Sequence, residues 1–381
     1  MPGNRAAFFF GSGISRDSGA AMVDALTDSL LHRGWEAHTD LRFYPSTAPS
    51  TGEAGRAQEF IRILATHINP HLQHHEGGEA NYEDIYAAAL QIVWDETAEI
   101  INPLIAESVA LIRNATEPLF RNQQPHIDRN AFASLVDRAT DLVQWTVFHD
   151  LSKATKPIGM EAISAVAKQT DELDIFSLNH DLLIERELDR NGIKFVDGFG
   201  APWGNDVLRF NWSWNAAGTK VRLYKLHGSL NWYFFRTKLF DQFGKVKGDP
   251  EHCKDENGKR LSLLQPQPRF LTGTTVKEQS YGTGLTGEFF TEFRSRLAAH
   301  ETLICCGYGW GDKGINIRLN QWLRDNVKNK IVILHEGSAD EIRQKRFWFF
   351  RWDEYERAGK VLVFPHWLSE CTVQDLEPFF G

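Results

Sequence analysis

The chain has 381 residues, 42% of them hydrophobic and 24% charged, enough to bury one elaborated core or two separate ones. Its net charge of −8 leaves no basic footprint for a phosphate backbone, so direct nucleic-acid binding is not expected. No apolar run is long enough to cross a bilayer, and the chain enters a strand at once without a signal peptide's basic start, so a cytoplasmic protein without membrane attachment is expected.

The first predicted element is an apolar strand, Ala6 to Phe10, within FFFGSGISRDSG at 8–19. It runs into a glycine turn and then a helix predicted to open near Ser18 or Gly19. Gly11 and Gly13 suit a phosphate cradle, because glycine reaches backbone angles closed to other residues and puts no side chain between the main-chain N–H groups and an anion. Ser12, Ser15 and Ser18 would add hydroxyl donors. The same turn could merely reverse the chain after a strand. Pro45, Pro49, Gly52 and Gly55 then mark a polar linker. From about Arg56 to Lys168 apolar residues recur at helical spacing, as in Phe60, Ile61, Leu64 and Ile68, and again in Ile85, Ala89, Ile92 and Val93. Strand character returns at 173–178, 221–226, 302–307 and 330–334, each a short apolar burst beside a glycine or polar turn. Residues 240–285, with DENGKR at their centre, read as a hairpin-like excursion or a mobile loop. The fold class is therefore α/β, a Rossmann-like parallel sheet with a large helical insertion after the first strand-helix unit. The domain reading is 1–32 with 169–381 for the sheet, and 33–168 for the mainly helical insertion.

Chemistry gathers at the strand ends. The segment SLNHD at 177–181 closes a strand with Asn179, His180 and Asp181 and opens an amphipathic helix, and polar groups there lie where open α/β sheets bind ligands. Either Asn179 or Asp181 could instead simply cap that helix. In YKLHGSLNW at 224–232, His227 would project from a turn with open space at Gly228, placed to take a proton near neutral pH. A structural histidine is the alternative. His67, His71 and His75 fall at i, i+4, i+8, but no carboxylate or cysteine completes a metal set. Cys253, Cys305, Cys306 and Cys371 suit a reducing compartment and lack paired CxxC spacing, so no zinc is expected. The run RQKRFWFFRW at 343–352 mixes basic and aromatic residues as single-strand binders do, but reads better as a helix packing its aromatics inward, or as an oligomer contact.

Taken together, GSGIS, LNHD and KLHGS, followed by ICCGYGWGD at 304–312, resemble the Sir2-like NAD-consuming proteins, and among them the bacterial anti-phage branch. The resemblance implies that Gly11, Ser12, Gly13 and Ser15 bind the NAD pyrophosphate. It makes Asn179 the residue that positions water and ribose, Asp181 the carboxylate near the nicotinamide amide, and His227 the catalytic histidine, with Gly228 beside the cofactor. Gly307 and Gly309 match the turn that approaches the adenosine half, with Glu336 nearby. Deacylating sirtuins differ in three respects: a Pro-x-Phe-Arg segment where SGAAMVDAL stands here, a glutamine in place of Leu178, and a four-cysteine zinc module. The activity implied is NAD hydrolysis to nicotinamide and ADP-ribose, in abortive-infection defence by NAD depletion. An NAD or ADP-ribose sensing module and an NAD-dependent deacylase are the alternatives. Such an enzyme needs restraint, so a homo-oligomer is expected, or a partner chain such as a HerA-type ATPase or an Argonaute-like sensor.

Overall fold

The run Ala6–Phe10 is buried at every position, the pattern of a strand covered on both faces. It forms β1 (Arg5–Phe10) of a computed structural model that describes residues 4–76, 78–99, 102–121, 131–211, 214, 218–237, 241–273, 276–337, 339–344 and 351–381. After β1 come a 3₁₀ turn at Ser12–Ser15 and then α1 (Val23–His32), so the first α-helix begins beyond Gly19 and its N-terminus does not adjoin the glycine turn. A hairpin, β2 (Gly34–Ala37) and β3 (Phe43–Ser46), precedes the stretch read as a polar linker and takes in its Pro45, while Gly52 and Gly55 lie at the start of the next helix. The helical stretch is present as α2 (Gly52–Glu76), α3 (Tyr82–Glu96), α4 (Ala106–Phe120), α5 (Ala131–Leu151) and α6 (Glu161–Gln169). Asn81 starts α3 with a reciprocal capping box, its side chain accepting from Asp84 N–H while Asp84 accepts from Asn81 N–H.

The second half alternates strands and helices. β4 (Glu172–Ser177), α7 (Leu183–Arg190), β5 (Phe195–Val196), β6 (Phe199–Pro202), β7 (Val207–Phe210) and β8 (Val221–Lys225) follow in order. Then come β9 (Trp232–Arg236), β10 (Gln242–Val246), β11 (Ser262–Leu263), α8 (Val276–Ser280) and α9 (Gly284–Leu297). The chain closes with β12 (Thr302–Cys306), α10 (Lys313–Asp325), β13 (Lys330–Leu334), α11 (Ala339–Gln344), α12 (Trp352–Arg357), β14 (Val361–Phe364) and α13 (Val373–Leu376).

Seven strands form one parallel sheet in the order β14-β13-β12-β1-β4-β8-β5. The fold is Rossmann-like α/β. The chain builds outward from β1 in one direction through β4 and in the other through β12, so β1 sits at the switch point where such sheets open a ligand crevice beyond their carboxyl ends. A second, antiparallel sheet runs β11-β9-β10-β7-β6 around its own core of Trp203, Val207, Tyr233, Phe235 and Val246. Residues 240–285 are thus neither a free excursion nor a plain loop where they are described; they supply β10, β11, α8 and the start of α9.

By internal contacts the chain divides into two units. One holds Met1–Ala20, Ser152–Leu271 and Glu278–Gly381, and contains both the parallel and the second sheet. One core cluster there joins Phe9, Phe176, Tyr224, Trp232, Phe289 and Phe293. The other holds Ala21–Leu151 and Thr272–Lys277; there Trp35, Phe43 and Phe60 are fully buried. No described helix is long and apolar enough to cross a membrane.

Candidate active site

The turn after β1 is shaped by the turn after β12. Gly11 N–H donates to Cys306 O at 3.1 Å and Gly13 N–H to Gly307 O at 2.9 Å. A Cβ on Gly11 would lie 2.5 Å from Gly307 O, and one on Gly13 would lie 2.7 Å from Gly307 Cα. Gly307 itself has φ +67°, and its Cβ would meet Ile14 N at 2.4 Å. These glycines are needed for backbone-to-backbone contact. Gly11 is in an extended conformation, with φ −104° and ψ 179°, so unusual backbone angles are not the reason for it. The amides of Gly11 and Gly13 are engaged with the neighbouring turn, which leaves the exposed Ser12 and the open face at Gly309 as the approachable parts of this surface.

Ser15 and Ser18 turn out to face protein. Ser18 Oγ accepts from Ile158 N–H at 2.9 Å. Ser15 is buried, donates to Asp181 Oδ2 at 2.8 Å and accepts from Asn179 Nδ2 at 3.0 Å. This bridge ties the end of β1 to the end of β4. Asp181 also accepts from Leu183 N–H at 3.0 Å, at the start of α7, so one carboxylate serves both helix end and cluster. Lys225 donates to Asp181 O and pairs with Glu185 at 3.1 Å. Burial pushes the Asp181 carboxyl above its usual range, with Lys225 and the Leu183 and Ser15 bonds pulling the other way. Asn179 caps nothing. Its Oδ1 is buried and has no hydrogen-bond partner among the described residues, and an orphaned acceptor in such a place is costly unless something fills it.

His227 follows β8, also buried, at 4% exposure. Its Nε2 lies 2.7 Å from Tyr281 Oη and 3.1 Å from Asp312 Oδ2. Gly228 has φ +81°, and a Cβ there would stand 2.4 Å from Arg269 O. The space expected beside the imidazole at Gly228 is filled by the backbone at 269–270, and this glycine makes a close approach to protein. The His180 ring, carried between Asn179 and Asp181, is 6.2 Å from that of His227. The ends of β1, β4 and β8 therefore bring Ser15, Asn179, Asp181 and His227 into one neighbourhood. Asp312, Tyr281 and Lys225, which the sequence does not single out as site residues, belong to it as well. Asp312 closes ICCGYGWGD and is the N-cap of α10.

At the far side of the switch point, Glu336 follows β13 and is exposed. It pairs with Arg16 at 3.3 Å, and the Arg16 guanidinium lies 5.2 Å over the Trp367 ring. His67 and His71 stand one turn apart on α2 with rings 6.2 Å apart; the His75 side chain lies outside the described residues, as do residues 345–350 of the basic-aromatic run. All four cysteines are buried and free of disulfides.

Comparison with known proteins adds a resemblance over part of the chain. Residues 174–356 match the family model of the SIR2-like domain, a span that contains β4, β8, β12 and the side chains of Asn179, Asp181, His227, Tyr281 and Asp312. Among solved structures, the chain is similar to a mutant Sir2 homologue in complex with ADP-ribose, at 11% identity over 99% of this chain and 91% of that one, with a TM-score of 0.38. It is similar also to a Sir2 homologue–NAD complex, at 11% identity over 99% of this chain and 88% of that one, with a TM-score of 0.36. No curated protein matches.

Proposed function

We propose that this chain, with its SIR2-like domain over 174–356, is an NAD glycohydrolase that cleaves the nicotinamide–ribose bond. One observation carries the reading: an orphaned Asn179 Oδ1, braced through Ser15 by Asp181, in the same strand-end neighbourhood as a buried imidazole paired with a carboxylate. In this reading Ser12 and Gly309 serve the pyrophosphate of the dinucleotide, and Gly307, Arg16 and Glu336 its adenosine half.

In the proposed reaction the bond from ribose C1′ to the nicotinamide nitrogen breaks, and its electron pair leaves with neutral nicotinamide. Water forms the new bond to the cation-like C1′. Asn179 holds that water or a ribose hydroxyl in line, an advantage of position. His227 takes the proton released and passes it to solvent, as a general base. Asp181 keeps Asn179 in register and orients the nicotinamide amide. The sum is NAD and water going to nicotinamide, ADP-ribose and a proton.

Incubating the purified chain with NAD and resolving the products tests this. Free nicotinamide appearing with ADP-ribose is the expected result. NAD loss only in the presence of an acylated peptide would replace the reading with deacylation, and tight binding without turnover would replace it with sensing. The cellular role proposed from the sequence resemblance is anti-phage defence by NAD depletion. Restraint would come from self-assembly or from a HerA-type or Argonaute-like partner, so light scattering should find an assembly larger than one chain.

A further inference from the structure

We propose that Asp312 is a positioning residue that fixes the tautomer of His227 and stabilises its cation, with Tyr281 as the clasp between them. The inference rests on the reading of His227 as the base.

Asp312 is set before it meets the imidazole. It is the N-cap of α10, its Oδ1 accepting from Ile315 N–H at 3.0 Å. A cap needs only one oxygen. The other, Oδ2, is turned to His227 Nε2 at 3.1 Å and to Tyr281 Oη, with the His227 and Asp312 side chains 4% and 7% exposed. A buried carboxylate aimed at a buried imidazole is not something the helix requires.

Tyr281 decides which way the protons run. Its single hydroxyl proton is given to Asp312 Oδ2, so at the 2.7 Å contact between His227 Nε2 and Tyr281 Oη the donor must be Nε2–H. The neutral ring then carries its lone pair on Nδ1, and any proton the imidazole accepts must arrive there. Once it does, the positive ring faces Asp312 Oδ2, which favours the charged form. Tyr281 is itself pinned, stacked on Phe290 with centroids 4.2 Å apart and an interplanar angle of 13°. Its other side closes on Gly314, where a Cβ would come within 2.6 Å of Tyr281 Cε2. The glycine two residues after Asp312 thus makes room for the clasp. His180 is a further titratable group near the His227 ring, at 6.2 Å between ring centres.

Asp312→Asn removes the charge and keeps a capping oxygen, which separates the two duties of this side chain. The full chain, labelled at histidine, is titrated by NMR, and the His227 signal is identified by its loss in His227→Gln. In Asp312→Asn the His227 pKa is expected to fall by about one to three pH units, with the melting temperature held near that of the wild type. NAD turnover should drop by about 10²–10⁴-fold in kcat with little change in KM. Tyr281→Phe keeps the stacked ring and should give a smaller change of the same sign. Asp312→Ser, which can also cap, serves if the asparagine variant does not fold. An unchanged His227 pKa in the charge-removed variant overturns the proposal, whatever happens to stability. Should the wild type not hydrolyse NAD at all, the functional reading fails, while the titration still decides what Asp312 does to His227.

Discussion

Ser15→Ala offers the sharpest check on how the site is held together. Ser15 Oγ gives a charge-assisted bond to Asp181 at 2.8 Å and receives one from Asn179 Nδ2 at 3.0 Å, with all three residues buried. Removing the hydroxyl leaves the Asn179 amide without an acceptor and takes a donor from a carboxylate whose pKa burial already raises. A buried polar group left unmatched costs about 1–3 kcal/mol, and bonds to charged groups are worth about 1.5–3 kcal/mol. Because the two losses share one atom they will not add in full, and a destabilisation of roughly 2–4 kcal/mol follows. NAD turnover should fall by about 10–10³-fold, since Asn179 loses the contact that aims it. Ser12→Ala is the matched control, three residues away on the exposed side of the same turn, where a change within about 0.5 kcal/mol is expected. Urea unfolding followed by tryptophan fluorescence reads the stability, and nicotinamide release reads the activity. If the two alanine variants are indistinguishable in both assays, Ser15 is not the brace described here.

His227→Ala and Asn179→Ala should each abolish NAD consumption, by at least about 10²-fold, with circular dichroism unchanged; near wild-type turnover in either would remove that residue from the site. Gly307→Ala places a side chain at φ +67° and 2.4 Å from Ile14 N, so it should lower stability by about 2–4 kcal/mol and weaken NAD binding measured by calorimetry. In the helical unit, burial pushes the Asp141 carboxyl up to about 7 against the pull of Arg138. An acid whose folded pKa is raised holds its proton longer than the unfolded chain does, so its contribution is full below about pH 4 and is lost as pH rises to about 7. The wild-type melting temperature should therefore decline over that window. Asp141→Asn should flatten the decline, and an unaltered slope would assign it to other groups.

Much of this was legible in the residues. Apolar bursts ending in Gly11, Asn179 and His227 mark parallel strands because a strand buried on both faces cannot alternate, and chemistry collects where such strands stop. The helical stretch was legible for the same reason of period. The second sheet was not, because β6, β7, β9 and β10 are four or five residues long and mix lysine, arginine and glycine into the apolar pattern. Nor could the sequence tell why Gly11 and Gly13 are glycines, since the backbone that forces the choice lies in the turn after β12. Asp312 was hidden differently. A capping aspartate and one that also grips a histidine look alike until Tyr281 and His227 are seen on its second oxygen.

The interlock of the two turns also sets a time at which the crevice can come into being. A ribosome delivers β1 long before β12, with α1 to α9 and ten strands between them. Until Cys306 and Gly307 arrive, the amides of Gly11 and Gly13 lack the carbonyls that shape their turn, and His227 waits for Asp312. Contacts of such sequence separation form late in folding. A nascent chain, or one cut short before β12, therefore carries Asn179 and His227 without the turn and the carboxylate that complete their surroundings.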